Sequence, residues 1–402
     1  MIKIMATTAQ HLDIKKIIAE RGLDGSGGDL WRQRLEQVTR ADVEWALSRP
    51  PGYYVLDRLM MLVSPAAESY LEQMAQIAHQ LTVQRFGRTV RLYAPLYLSN
   101  FCVNDCLYCG FNKSHKFPRI RLTIDQAVAE ADIIAKEGFK DLLLVSSEDK
   151  DFISVDYLSD LAEKLRQKFS SLSIEVYQMP CDEYGKLFAA GIEGVTLYQE
   201  TYNRETYRFY HPAGPKSDYD NRLQAPDCMA AAGMREIGIG ALLGLDDWRI
   251  ETLALAEHAH YLMKCYWQSH VSFSFPRLRP ARDVERSQFK HLLTDKNLVQ
   301  MILALRLCFA DAGLVLSTRE GADLRDNLVK LGITKMSAGS KTNPGGYTGH
   351  ALRPGSGQAS SVGQFEINDN RPPAQIVAML RANGLEPVWK DWDSAFMQTE
   401  DI

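Results

Sequence analysis

Three cysteines within one short stretch carry the most specific chemistry in this chain of 402 residues. They are Cys102, Cys106 and Cys109, in the run Cys102-Val-Asn-Asp-Cys-Leu-Tyr-Cys109 that follows the apolar segment Leu92-Tyr-Ala-Pro-Leu-Tyr-Leu98. Cysteine thiolates hold iron–sulfur clusters and zinc. Four of them saturate a [4Fe–4S] cube. Three leave one iron with an exchangeable position, as catalytic zinc keeps one, and a small molecule bound there can receive an electron from the cluster. A zinc site would want a fourth Cys or His at short spacing, and His115 offers one. Three buried thiols without chemistry are the plainest alternative.

Charged residues of the other kind needed for a site follow further along the chain. Glu148 ends Ser146-Ser-Glu148, and Glu200 lies in Tyr198-Gln-Glu-Thr-Tyr202. Arg222 follows Asn221, and Arg277, Arg279 and Arg319 lie in Phe275-Pro-Arg-Leu-Arg-Pro280 and Leu316-Ser-Thr-Arg-Glu320. Buried cations need anionic partners. These arginines therefore either pair inside the protein or bind a carboxylate ligand. Gly238 and Gly240 mark a glycine-rich strand without a phosphate-loop lysine, which is a weak signal alone.

The elements that must position these residues begin with a helical preface. Residues 1–28 read as poorly ordered. Thr39-Arg-Ala-Asp42 reads as a capping box, with Pro50-Pro51 as a stop. Ser64-Pro65 reads as the start of a longer helix that Gly87 ends. From Val90 the rhythm becomes strand, loop, helix. Strands are expected at 91–99, 141–145, 174–177, 194–198, 237–243, 271–275, 315–317 and 335–337. Short, unbroken apolar runs are typical of strands buried on both faces. Eight such units predict a (β/α)8 TIM-type barrel with an N-terminal helical extension. The organisation expected is an extension over 1–89, a barrel over 90–380 and a tail over 381–402 packed on it. In such a barrel the chemistry lies at the C-terminal strand ends, where the marked residues fall.

Net charge is −4 and pI about 6.2, so no basic surface points to nucleic acid or an anionic membrane. The start, Met1-Ile-Lys-Ile-Met-Ala-Thr-Thr, has no apolar signal core, and no run approaches the ~20 apolar residues of a membrane span. Cys181, Cys228, Cys265 and Cys308 are widely scattered and are expected as buried, inert thiols. A cytoplasmic, reducing location follows from that reading.

The Cys-x3-Cys-x2-Cys loop, with aromatic Tyr108 before its third cysteine, resembles that of the radical S-adenosylmethionine (SAM) enzymes. Together with Pro95–Asn100, Leu143–Glu148, Tyr198–Tyr202, Phe275–Pro280, Ser317–Glu320 and Pro387–Asp393, it resembles the aromatic amino acid lyases of that superfamily, and most of all those that make 2-iminoacetate for thiamine. The resemblance covers about residues 30–396. It implies a [4Fe–4S] cluster on Cys102, Cys106 and Cys109, with SAM on the fourth iron. It implies SAM contacts from Tyr108, Glu148, Glu200 and Arg222, with Gly238 and Gly240 beside adenine. Ser147 departs from the family's usual Gly-Gly-Glu. The implied reaction splits L-tyrosine between Cα and Cβ into 2-iminoacetate (dehydroglycine) and p-cresol, as SAM is reductively cleaved to 5′-deoxyadenosine and methionine. Tyr97 and Arg319 would contact the substrate, the arginine holding its carboxylate, with Ser337 or Ser340 completing the site. A flavodoxin- or ferredoxin-type electron donor and a thiazole synthase partner are implied as well. Tryptophan lyase, the hydrogenase-maturation tyrosine lyase and a non-enzymatic iron–sulfur protein are the rivals. The absence of any cysteine after Cys308 argues against the second of these, which adds a cysteine-rich C-terminal domain.

Overall fold

The computed structural model describes residues 12–349 and 363–389. Five helices come first: α1 (Ile14–Glu20), α2 (Gly28–Gln37), α3 (Arg40–Ser48), α4 (Leu56–Val63) and α5 (Leu71–Phe86). Strands and helices then alternate as β1 (Thr89–Ser99), α6 (Ile124–Lys136), β2 (Asp141–Ser146), α7 (Val155–Leu165), β3 (Ser171–Glu175), α8 (Cys181–Ala189) and β4 (Gly194–Thr196). Two helices, α9 (Arg204–Tyr210) and α10 (Tyr219–Ala231), precede β5 (Glu236–Gly240). The second half runs α11 (Trp248–Cys265), β6 (His270–Ser274), α12 (Asp295–Cys308), β7 (Gly313–Leu316), α13 (Ala322–Leu328), β8 (Lys335–Ser337), α14 (Pro373–Ala382) and β9 (Glu386–Val388).

The first eight strands are parallel neighbours in chain order, and β1 closes the ring against both β8 and β2. This is the (β/α)8 barrel that the apolar runs predict. The third strand starts at Ser171, ahead of the expected 174–177. One strand goes unpredicted: β9 pairs with Thr89–Arg91, below the point where β2 joins β1 at Ala94. It lies in the expected tail, whose residues 390–402 are outside those described.

The preface differs from expectation at its start. Residues 12–28 are ordered: Asp13 caps α1, whose Ile14 and Ile18 are buried in the main core, and α1 packs on α10 and α11. A helix this short has little stability alone and owes its existence to that packing. Residues 1–11 are outside those described. The Thr39–Asp42 capping box is present. Ser64-Pro65 opens a 3-10 segment (Pro65–Tyr70) that leads into α5, and Gly87 ends it with φ +68°. Buried Arg58 fastens the preface to the barrel, donating to Ala46 O at 2.9 Å and, on α12, to Leu307 O at 3.2 Å.

The expectation for the outlying cysteines fails for three of the four. Cys181, at the start of α8, is disulfide-bonded to Cys228 on α10, and Cys265 is exposed; only Cys308 is a buried thiol. Two residues 47 apart in sequence meet because adjacent barrel helices carry them. Spacing along the chain says nothing about that, so scatter was no argument for inertness or for a reducing compartment.

Barrel interiors are normally filled by layers of branched side chains. Here Ser173, Gly194, Thr196, Ser272 and Ser274 line a central hollow, which leaves space beneath the mouth. The N-terminal end is closed instead by charge. Asp141 lies 2.9 Å from both Arg91 and Lys335, and Glu236 pairs with the same two cations.

Candidate functional site

The cysteine loop leaves β1 at the C-terminal mouth, and Cys102, Cys106 and Cys109 line one cavity there. All three are free thiols. Burial pushes Cys106 up to about 12 and raises Cys109 as well, so each would have to lose its proton to a bound metal. N–H groups face two of the sulfurs, Asn104 N at 3.4 Å from Cys102 Sγ and Gln364 Nε2 at 3.9 Å from Cys109 Sγ. Hydrogen bonds to sulfur are what tune a cluster. The donor set therefore fits a three-cysteine cluster. His115 does not join it: its Nδ1 faces Gly110 O at 3.3 Å. Among the described residues no three His, Cys, Asp or Glu side chains converge on a single-ion position. Ser147, which departs from the family's glycine, spends its hydroxyl on the carbonyls of Phe101 and Ser99 and so latches the loop.

Across the cavity stand the expected SAM residues. Glu148 is buried after β2, accepts from Asn104 Nδ2 at 2.9 Å and lies 3.4 Å from Lys150 Nζ. Glu200 follows β4 with φ +71°, a conformation that costs a non-glycine residue roughly 1–3 kcal/mol and gathers at functional sites. It is held by Lys216 at 2.5 Å and Arg222 at 3.7 Å. Burial pushes its carboxyl up, but these two cations outweigh burial and leave it below the usual range. Arg222 reaches in from α10, donating to Tyr198 O at 2.6 Å and Gln178 Oε1 at 3.0 Å. Tyr108 lines the cavity and donates its hydroxyl to His211 Nε2 at 2.8 Å. Burial pushes His211 down to about 3, so it is neutral, with Nδ1 donating to Tyr207 O at 2.8 Å.

Gly238 and Gly240 are not among the lining residues. A Cβ on Gly238 would come 2.5 Å from Thr196 Oγ1, and one on Gly240 2.8 Å from the Tyr198 ring. Their absent side chains make room for Thr196 and Tyr198, which do line the cavity.

Under the mouth the arginines divide. Glu320 binds both Arg277 and Arg279, and Arg277 also reaches Asp295 at 2.7 Å. These are internal ion pairs. Arg319 has no ion pair among the described residues; it lies over the Phe365 ring at 3.5 Å and projects into the cavity. The two serines divide as well. Both line the hollow, but Ser337 Oγ accepts from Thr318 N at 3.1 Å, whereas among the described residues the buried Ser340 Oγ has no hydrogen-bond partner. Tyr97 lines the same space, with its hydroxyl on Gln364 Oε1 at 2.8 Å. Sequence reasoning missed Lys216, Glu175, Gln178, His211 and Gln364. None stands in a motif; a strand placed from Ser171 would have put Glu175 at a C-terminal end.

Residues 96–256 match the Radical SAM superfamily, and residues 274–386 match the Biotin and Thiamin Synthesis associated domain. The 2-iminoacetate synthases of Escherichia coli (strain K12) and Salmonella typhimurium are each 44% identical to this chain over 376 residues, 91% of this chain and 96% of theirs. Among solved structures, HydG, a maturase of the [FeFe]-hydrogenase, is similar with a TM-score of 0.83 and 31% identity, covering 92% of this chain and 81% of that one. HydG from Carboxydothermus hydrogenoformans gives 0.78 and 30%, over 94% and 83%. A three-thiol loop at the mouth of a (β/α)8 barrel, continued by 44% identity along nearly the whole of both chains, means that this chain belongs to the 2-iminoacetate synthase family of the radical SAM superfamily.

Proposed function

We propose that this chain is a carbon–carbon lyase that splits L-tyrosine between Cα and Cβ into 2-iminoacetate and p-cresol, feeding the thiazole of thiamine. Cys102, Cys106 and Cys109 would hold a [4Fe–4S] cluster. When bound, the cluster and SAM supply a 5′-deoxyadenosyl radical that takes a hydrogen atom from the substrate. Glu148 would take the SAM amino group. Arg222 would hold its carboxylate, since a guanidinium fork is bidentate and always charged. Glu200 and Tyr108 complete that wall, while Gly238 and Gly240 act by seating Thr196 and Tyr198.

The observation that carries the reading is the one cation in the cavity wall without an ion pair among the described residues. Arg319 faces the hollow beneath the cysteine loop while its neighbours Arg277 and Arg279 are consumed by Glu320. Lifting the carboxylate of a zwitterion out of water requires such a partner. Ser340, rather than Ser337, supplies the further hydrogen bond, because its hydroxyl is the unsatisfied one. Tyr97 bounds the same space. The reading divides the chain into an extension (1–89), the barrel (90–380) and a tail (381–402). It places the enzyme in the cytoplasm, served by a flavodoxin- or ferredoxin-type donor and passing hydrolysis-prone 2-iminoacetate to a thiazole synthase. Anaerobic, reconstituted protein given reductant, SAM and tyrosine should form p-cresol. Turnover of tryptophan instead, or SAM cleavage with neither amino acid consumed, would overturn it.

A further inference from the structure

Seven charged side chains line the cavity: Glu148, Glu175, Glu200, Lys216, Arg222, Arg279 and Arg319. Five are paired within the protein, Glu148 with Lys150, Glu200 with Lys216 and Arg222, and Arg279 with Glu320. Among the described residues two have no ion partner, one of each sign. Arg319 follows β7, and Glu175 ends β3 on the opposite side of the ring. Among the described residues Glu175 accepts one hydrogen bond, a long one from the Tyr198 hydroxyl at 3.4 Å.

Glu175 is half-buried, and a carboxylate drawn partly out of water without a cation is costly, so one that faces a cavity marks where a cationic group of a ligand belongs. An α-amino acid carries an anion and a cation on the same carbon. We propose that Glu175 anchors the α-ammonium group of the substrate, opposite Arg319 on its carboxylate, so that the two unpaired charges clamp the Cα end as a zwitterion. The inference rests on the lyase reading above and names how that site recognises its substrate.

Proximity favours the ammonium over the phenol hydroxyl. Glu175 and Arg319 line the same small hollow from opposite strands, and the Arg319 charge pulls down a Glu175 carboxyl that burial pushes up to about 7. Ammonium and carboxylate share one carbon and can bridge that gap. A phenol on Glu175 would hold the carboxylate a whole side chain away. The clamp also suits the reaction, because the aromatic half departs while the Cα end must stay fixed.

Three ligands separate the possibilities on the reconstituted, SAM-loaded protein: tyrosine, tyramine (no carboxylate) and 3-(4-hydroxyphenyl)propanoate (no ammonium). Glu175→Gln should weaken tyrosine and tyramine binding on the order of 10²-fold and leave the propanoate unchanged. Arg319→Lys, which keeps the charge and loses the fork, should weaken tyrosine and the propanoate about tenfold and spare tyramine. Should Glu175→Gln fail to hold its cluster, Glu175→Asp, which keeps the charge one methylene back, should show a smaller loss confined to the same two ligands. Equal losses for tyrosine and the propanoate would move Glu175 to the phenol and overturn the clamp. A loss of SAM affinity alone, or no change for any ligand, would overturn it too. Wild-type protein that binds no tyrosine at all would instead sink the lyase reading beneath it.

Discussion

Glu236 and Glu175 are carboxylates inside the same barrel, one at each end, and their surroundings drive them in opposite directions. Burial raises both. At the N-terminal end Lys335 and Arg91 overwhelm it, and Glu236 ends well below the usual carboxylate range. At the C-terminal end Arg319 offsets burial only in part, and Glu175 stays up at about 7. One end is balanced within the protein; the other leaves a positive and a negative group for something else to balance. Charge pairing at the bottom of a barrel serves stability, and openness at the top serves chemistry.

Breaking the two ends should therefore leave different signatures. The largest effect is expected at the top. Cys106→Ala should abolish the cluster's visible absorbance and SAM cleavage together, while the far-UV spectrum and the unfolding midpoint of the metal-free protein stay as in wild type. Normal iron content with full turnover would remove Cys106 from the ligand set.

Asp141→Ala at the bottom should do the opposite. It removes one of the two carboxylates that Arg91 and Lys335 share, 2.9 Å from each, and leaves Glu236 alone between them. Removing one member of a buried charge group costs about 3–5 kcal/mol. A urea titration should show a loss of that order, whereas the ratio of p-cresol to 5′-deoxyadenosine in the folded fraction stays constant. A changed product ratio would mean that the two ends communicate.

Arg319→Lys is subtler. It keeps the charge and loses the bidentate fork. With the Cα end loosely held, p-cresol formation should fall about tenfold, the scale of one lost hydrogen bond to a charged group. SAM binding should persist and uncoupled 5′-deoxyadenosine should rise. A loop-holding role for Arg319 would instead lower stability and leave coupling untouched. The absence of any ion pair from Arg319 to Glu320 or Asp323 among the described residues already speaks against that role.

What the sequence discloses follows the same division. Strands buried on both faces write themselves as apolar runs, so all eight barrel strands were legible, and so was the capping box at Thr39. The cysteine loop was legible because one loop supplies all three sulfurs. Pairing across the fold was not. Glu320 is the sequence neighbour of Arg319, yet it turns to Arg277 and Arg279, and only coordinates reveal which arginine is left over. Cys181 and Cys228 meet through the packing of α8 and α10. Three-residue β9 carries too short a pattern to see, and it exists because the lower edge of β1 is open to it. Gly238 and Gly240 were expected beside adenine, whereas what their missing side chains make room for is Thr196 and Tyr198.

The smallest expected effect tests the comparison most directly, because it asks whether Glu175 is a burden to the empty protein. In the unfolded chain a glutamate titrates near ~4.3. In the fold Glu175 titrates at about 7. Between those two values the folded state keeps a proton that the unfolded state has released, so this group's contribution to stability falls as pH rises through the window and is level above about 7. Two titratable groups that face it do not blur the window: Glu200 is held below its usual range, and burial pushes the Tyr198 phenol well up. Glutamine does not titrate. Glu175→Gln without ligand should therefore match wild type in urea midpoint near pH 4, gain on it as pH rises, and hold a constant advantage above about pH 7. Sites kept for function commonly cost stability in this way. Saturating tyrosine should shrink the gap, since it brings the missing cation to the wild-type carboxylate and stabilises that fold by mass action. A Glu236→Gln protein run beside it should show the opposite sign, with wild type the more stable at neutral pH and the difference lost as pH falls through the carboxylate range. Parallel curves for Glu175→Gln and wild type across the whole range would mean that Glu175 is already balanced in the empty protein, and the contrast between the two ends would be gone.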